Sequence, residues 1–309
     1  MTSPSGQQIR IGAGPYEAVT TEVGGGLRSL TYDGRLLLMS YGENEIRPAY
    51  AGAVLAPWCG RVVNGRYAVG ERRFELPLNE PARGQALHGL AAWSRWQLTD
   101  RTAASAKWSV DLVPQPWYPW PLTITAGYRL DEVTGLTWTV SAHNDGDEAA
   151  PVGLGVHPYA VAPAGEVDDW TLTFDAARIQ LATADRLVPT GIADLPDAAS
   201  FRRGRRLAGV SFDGAVTGLS RPADGVRRAS LVDDNGDGVE FRWDAAGKWL
   251  QLFTCDDLPG ELRRRAVAIE PQTCPPDAFN NGIDLAWLAP GSDLELSVGI
   301  GALSGSVLH

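Results

Sequence analysis

Apolar and polar residues alternate one for one along much of this chain. Leu122, Ile124, Ala126, Tyr128 and Leu130 are separated by Thr123, Thr125, Gly127 and Arg129. Leu136, Trp138, Val140 and Ala142 alternate with Thr137, Thr139 and Ser141, and Leu294, Leu296, Val298, Ile300 and Ala302 repeat the pattern near the end. A period of two predicts strands with one face in a core and the other facing solvent or a second layer. Asp33-Gly34 in YDGR and Asp145-Gly146 in HNDGD are hairpin-type dipeptides between such runs. No segment sustains a helical period; residues 91–96 and those around Ala182 are expected to form short turns. No unit of 20–50 residues repeats. The pattern predicts an all-β protein, a large antiparallel β-sandwich forming a single domain over residues 1–309.

Composition narrows the partners. With 309 residues, 44% of them hydrophobic, the chain is long enough for a large core. A net charge of −10 excludes nucleic acid as the expected partner, and the runs RRGRR (202–206) and RRR (263–265) read as solvated loop charge. No stretch reaches the ~20 apolar residues that span a bilayer, so no membrane partner is expected. The opening MTSPSGQQIRIG lacks the basic-then-apolar layout of a secretory signal. Cys59, Cys255 and Cys274 form no CxxC pair, which fits free thiols and a cytoplasmic location. A monomer or weak homodimer is expected.

Candidate chemistry begins at GLGVHPYAV, residues 153–161. Pro158 removes a donor and biases His157 towards extended backbone, while Gly153 and Gly155 permit close approach by other groups. A histidine so held is either aimed at a ligand or closes a strand end. Three further stretches stand out: WCGRVVNGRYAVG with Arg61, QALHGL with His88, and VAIEPQTCPPDAFNNG with Glu270, which should end a strand before an irregular loop. Each has an ordinary reading too: Arg61 as an ion-pair partner, His88 as a turn residue, Glu270 as a rim charge. VPQPWYPWPL (113–122) holds four prolines and three aromatics and reads as an extended surface crossing. Its Trp117 and Trp120 are assigned to packing rather than sugar stacking. In VDDNGDGVEFRWD, Asp233, Asn235, Asp237 and Asp244 mimic part of a calcium loop. The flanking alternation instead predicts a hairpin turn.

The order CGRVVNGRY, LHG, HPY and EPQTCPPDAFN, from about residue 11 to residue 303, resembles the aldose 1-epimerases, the galactose mutarotase family, in its shorter bacterial branch. Arg61 sits in CGRVVNG where ANRI is commoner, which keeps the arginine and changes its neighbours. The resemblance implies the mutarotase supersandwich fold and anomer interconversion of a free aldohexose such as glucose or galactose, with no cofactor and no metal. It implies His157 as general acid and Glu270 as general base. His88 near the ring oxygen, Arg61 and Asp213 (in SFDGAVTGL) would bind the substrate. For Asp213 an Asx turn before Gly214 is the competing reading.

The chemistry agrees with those roles. Opening a hemiacetal needs a base for the anomeric hydroxyl and an acid for the ring oxygen, both working near neutral pH. Imidazole, with an ordinary pKa of about 6.5, suits the acid, and a carboxylate raised by burial suits the base. Three other readings compete. A hexose-6-phosphate epimerase would carry an arginine soon after LHG, where this chain has Ala91 and Ala92 and places Arg95 later. A non-catalytic carbohydrate-binding protein would leave His157 and Glu270 without a purpose. A glycosidase would use a pair of carboxylates, for which only Glu270 and Asp213 offer themselves, and it fits the paired histidines poorly.

Overall fold

A computed structural model describes residues 3–305, so the ends of the expected 1–309 domain lie outside the described residues. The alternating segments form the centre of a nine-stranded antiparallel sheet. Leu122–Asp131 pairs with Gly135–Asn144, which pairs with Asp293–Leu303, and Gly238–Trp243 and Arg227–Val232 follow. Along Leu122–Asp131 the side chains of Leu122, Ile124, Ala126, Tyr128 and Leu130 are buried, and the intervening ones are not.

A second large sheet runs in the spatial order Pro189–Asp194, Arg178–Ala182, Asp213–Thr217, Trp249–Phe253, Val267–Gln272, Gly155–His157 and Ala53–Leu55, and Tyr159–Ala160 also pairs with Val267–Gln272. Its inner strands do not alternate, because they are covered on both sides: every residue of Val267–Gln272 is buried. One contiguous apolar core joins the sheets, with Trp138, Val140 and Val298 from the first and Val156, Leu250 and Ile269 from the second. Each large apolar side chain so buried contributes roughly 1.5–3 kcal/mol, so the face-to-face packing of the sandwich dominates its stability. Among the described residues no helix is long and apolar enough to cross a membrane.

Asp33-Gly34 makes the expected hairpin, both residues at positive φ between Tyr32 and Arg35. Asp145-Gly146 does not. The strand after it, Ala150–Val152, pairs with Ala286–Leu288 instead of folding back on Gly135–Asn144. The Asn144 side chain organises that loop, accepting from the Gly146 N–H and donating to the carbonyls of Glu148 and Leu288. Residues 233–237 form a hairpin turn, Val232 pairing with Gly238 and the Asp233 carboxylate accepting from the N–H groups of Asn235 and Asp237. The proline-rich segment 113–122 is less superficial than expected, since Tyr118 and Trp120 are in the core. Turns occupy residues 91–93 and 184–186.

Candidate active site

Five residues spread over more than 200 positions meet at one cavity of about 330 Å³, between the second sheet and the small pairing of Arg61–Val63 with Gln85–Leu87. Arg61, His88, His157, Asp213 and Glu270 all line it.

His157 ends the strand Gly155–His157, which runs between Ala53–Leu55 and Val267–Gln272. After Pro158 the chain pairs again with the same neighbour through Tyr159–Ala160, so the proline marks the break between two pairings and holds the imidazole at the junction. The glycines before it make room for sulfur rather than for a ligand. A Cβ at Gly153 would lie 2.4 Å from Cys274 Sγ, and one at Gly155 would lie 2.9 Å from Cys59 Sγ.

Glu270 sits on Val267–Gln272 opposite Gln251, two residues before the strand ends, so the strand continues through Pro271 rather than stopping at the carboxylate as expected. Its side chain is 2% exposed, and Oε1 lies 3.4 Å from His157 Nε2. Gln272 Nε2 donates to Oε2 at 3.0 Å. Burial, reinforced by the Asp213 charge, pushes the Glu270 carboxyl well above its ordinary pKa. Burial, with Arg47 and Arg61 in support, pushes His157 down to about 3. Both groups are therefore favoured neutral, with a single proton between them.

His88 follows the strand Gln85–Leu87 in left-handed backbone, φ 61°, and Gly89 continues the turn at φ 77°. Any Cβ at Gly89 would fall 2.0 Å from the Ala56 carbonyl oxygen, which is why the LHG glycine is needed here. The His88 and His157 rings meet edge to face at 5.0 Å, and Tyr50 packs against His88 at 4.8 Å. Burial, then the neighbouring His157 and Arg61, hold the His88 imidazole well below its usual range. The Nδ1 atoms of both histidines are buried without a partner.

Arg61 opens the strand Arg61–Val63 and binds Glu80 through both prongs, Nε to Oε2 at 2.8 Å and Nη2 to Oε1 at 2.9 Å. Its ordinary ion-pair reading and its place in the cavity are both correct. Asp213 opens the strand Asp213–Thr217, paired with Phe253, so it is a strand residue facing the cavity rather than an Asx turn. Gln251 Nε2 donates to its Oδ1 at 2.8 Å, and burial raises its pKa against the opposing pull of Arg61.

Sequence reasoning missed the wall that completes the site. Glu80 also accepts from Arg83 at 2.9 Å, and Arg83 reaches Asp257 at 3.3 Å, so a chain of alternating charge rims the cavity. Gln251, beside both carboxylates, was missed as well, and its Oε1 is buried without a partner. None of these sits in a recognisable motif. Tyr159, in the HPY motif, stacks on His157 at 4.9 Å and donates its hydroxyl to the Ala49 carbonyl.

His88, His157 and Glu270 bring one ligand atom each within 4.8 Å of one another, which is a spacing that would admit a metal ion. The same three atoms are also close enough to serve proton transfer. Trp117 and Trp120 lie outside this cavity.

The chain is similar to known proteins along nearly its whole length. The sequence model of the family described as aldose 1-epimerase matches residues 7–300. The uncharacterized protein YihR of Escherichia coli K12 is 31% identical over 288 residues, covering 93% of this chain and 90% of that protein. A galactose mutarotase-like protein from Clostridium acetobutylicum superposes with a TM-score of 0.85 at 19% identity, over 96% of this chain and 95% of that one. Galactose 1-epimerase from Lactobacillus acidophilus gives 0.79 at 18% identity, over 96% and 94%. At such identities the two structures share the fold.

Proposed function

Because this chain belongs to the aldose 1-epimerase family, we propose that it interconverts the α and β anomers of a free aldohexose such as glucose or galactose. The observation that carries this reading is the 3.4 Å approach of His157 Nε2 to Glu270 Oε1 inside a cavity that Arg61, His88 and Asp213 also line. The anomeric hydroxyl and the ring oxygen are bonded to the same carbon. An acid and a base for them must therefore stand side by side, as these two do.

Once the single proton of the pair has passed from Glu270 to His157, the Glu270 carboxylate takes the proton of the anomeric hydroxyl while the His157 imidazolium gives its proton to the ring oxygen. The bond between C1 and the ring oxygen breaks and C1 becomes an aldehyde. Rotation about C1–C2 presents the other face, the ring oxygen returns its proton to His157 as it attacks, and Glu270 protonates the new hydroxyl. Protons and electrons balance without a cofactor. Before and after turnover the pair holds one proton, so neither anomer is favoured as entrant. Asp213 and Arg61 are placed to hold vicinal hydroxyls through charge-assisted bonds, with Gln251 and His88 beside them.

The charges of the wall favour an uncharged sugar over a hexose phosphate. Both arginines of the cavity already face carboxylates, Arg61 on Glu80 and Arg83 on Glu80 and Asp257. A phosphate would have to displace a carboxylate to be bound. The three thiols, buried and unpaired, support a reading of the enzyme as cytoplasmic.

Polarimetry tests the proposal. Freshly dissolved α-D-glucose or α-D-galactose should reach its equilibrium rotation faster with the protein than in buffer. Glu270→Gln and His157→Asn should each slow turnover by about 10²–10⁴-fold, the usual contribution of a positioned acid or base. Relaxation no faster than buffer across a panel of aldoses would leave the cavity as a sugar-binding site without catalysis.

A further inference from the structure

A second cavity, of about 280 Å³, lies on the nine-stranded sheet and shares no lining residue with the candidate active site. It forms where Thr171–Phe174, Arg227–Val232 and Gly238–Trp243 end beside the segment around Ser220 and Pro222. Arg227 is the unusual group in its wall. The residue is 4% exposed, its Nη1 donates to the Asp244 carbonyl at 2.6 Å, and its Nε is buried with no partner. Among the described residues no carboxylate pairs with it.

The acids nearby are occupied elsewhere. Asp175 pairs with Arg202 at 2.6 Å, Asp224 with Arg228 at 2.5 Å, and Glu240 stands 3.6 Å from Arg242 and 3.9 Å from Arg228. Arg221, between the lining residues Ser220 and Pro222, likewise has no ion pair among the described residues. Its charge and the burial of Arg227 both work against the Arg227 cation. The wall carries Arg202, Arg227 and Arg228 against Asp175 and Glu240, a local positive excess on a chain of net charge −10. Arg47, another buried guanidinium without a carboxylate, is different: its two terminal nitrogens donate to the carbonyls of Ala92 and Val23 and tie loops together.

A desolvated guanidinium is stabilised by a counter-charge, and its fork matches the oxygens of a phosphate or carboxylate. Hydroxyls of Thr173, Ser220 and Ser230 line the same space and can donate to such a group. We propose that this cavity binds the oxyanion group of a small metabolite, phosphate or carboxylate, with Arg227 as its anchor. The site is separate from the sugar chemistry and does not depend on it.

Calorimetric titration of the full chain with inorganic phosphate, and separately with acetate, at constant ionic strength tests this. One of the two should bind saturably, and which one does identifies the group. Arg227→Gln should weaken that binding at least tenfold. Ser230→Asp leaves Arg227 in place, adds a negative charge to the wall, and should weaken it similarly if the first variant fails to fold. In the unaltered protein, the Arg227 Nε–H resonance should shift with the same saturation curve. No saturable binding of either probe overturns the proposal, and so does binding that both variants retain at full strength.

Discussion

Glu270 stabilises this fold least under the conditions in which it is proposed to act. Burial and the Asp213 charge raise its folded pKa above the unfolded value. Its favourable contribution is thus present below about pH 4.3, the ordinary glutamate value, and is lost as pH rises through the folded pKa. Glutamine keeps the shape and the bond from Gln272 but does not titrate. At pH 7.5 Glu270→Gln should therefore be more stable than the parent, by about 0.5–2 kcal/mol, and the difference should shrink towards zero near pH 4. His157 behaves in the opposite sense. Its folded pKa is depressed to about 3, so stability is lost as pH falls from about 6.5 towards that value. His157→Asn should flatten this acid-side loss. Urea unfolding across pH reads both effects, and a glutamine variant less stable than the parent at pH 7.5 would mean that Glu270 is held ionised by its surroundings.

The strand carrying His157 is fitted to its neighbours by the absence of side chains. A methyl at Gly153 would sit 2.4 Å from Cys274 Sγ, with its next contact 3.6 Å away at Trp58, so a single sulfur accounts for the clash. Gly153→Ala should cost roughly 1–3 kcal/mol through overpacking and lower turnover by displacing His157. Cys274→Ala in the same chain should recover most of both, which a double-mutant cycle would record as coupling of ~1 kcal/mol or more. Additive losses would show that the glycine is needed for backbone reasons alone. This level of detail was only partly legible in the sequence. The strands Leu122–Asp131, Gly135–Asn144 and Asp293–Leu303 announced themselves because one face is dry and the other is not. Val267–Gln272, buried throughout, gave no alternation to read, and the helix Ala278–Asn281 is too short for a helical period. The Asp145-Gly146 loop misled because its dipeptide reports local backbone freedom, whereas the pairing of Ala150–Val152 with Ala286–Leu288 is decided 136 residues away.

Across the whole molecule, one cavity gathers His157, Asp213 and Glu270 from the second sheet and Arg61 and His88 from the separate pairing of Arg61–Val63 with Gln85–Leu87, and motif order had located these five without showing that they meet. The Glu80–Arg83–Asp257 chain was invisible because ion pairs between distant loops leave no spacing pattern in a sequence. The assembled geometry sets the expected pH dependence. His157 and Glu270 lie close enough to titrate as a pair, and the active form is the pair holding one proton. A second proton arrives only at a pH well below the ordinary histidine value, since burial lowers His157. The last proton leaves only well above the ordinary carboxyl value, since burial and Asp213 raise Glu270. The profile of kcat/KM should therefore have an acid limb displaced well below the ordinary histidine value and an alkaline limb, set by loss of the shared proton, displaced above the ordinary carboxyl value. Asp213→Asn removes a negative charge that raises Glu270, so its alkaline limb should move to lower pH, alongside weaker substrate binding. If the unaltered enzyme instead loses rate as pH drops through about 6.5, the ordinary histidine value, the two groups titrate independently and the single-proton mechanism fails.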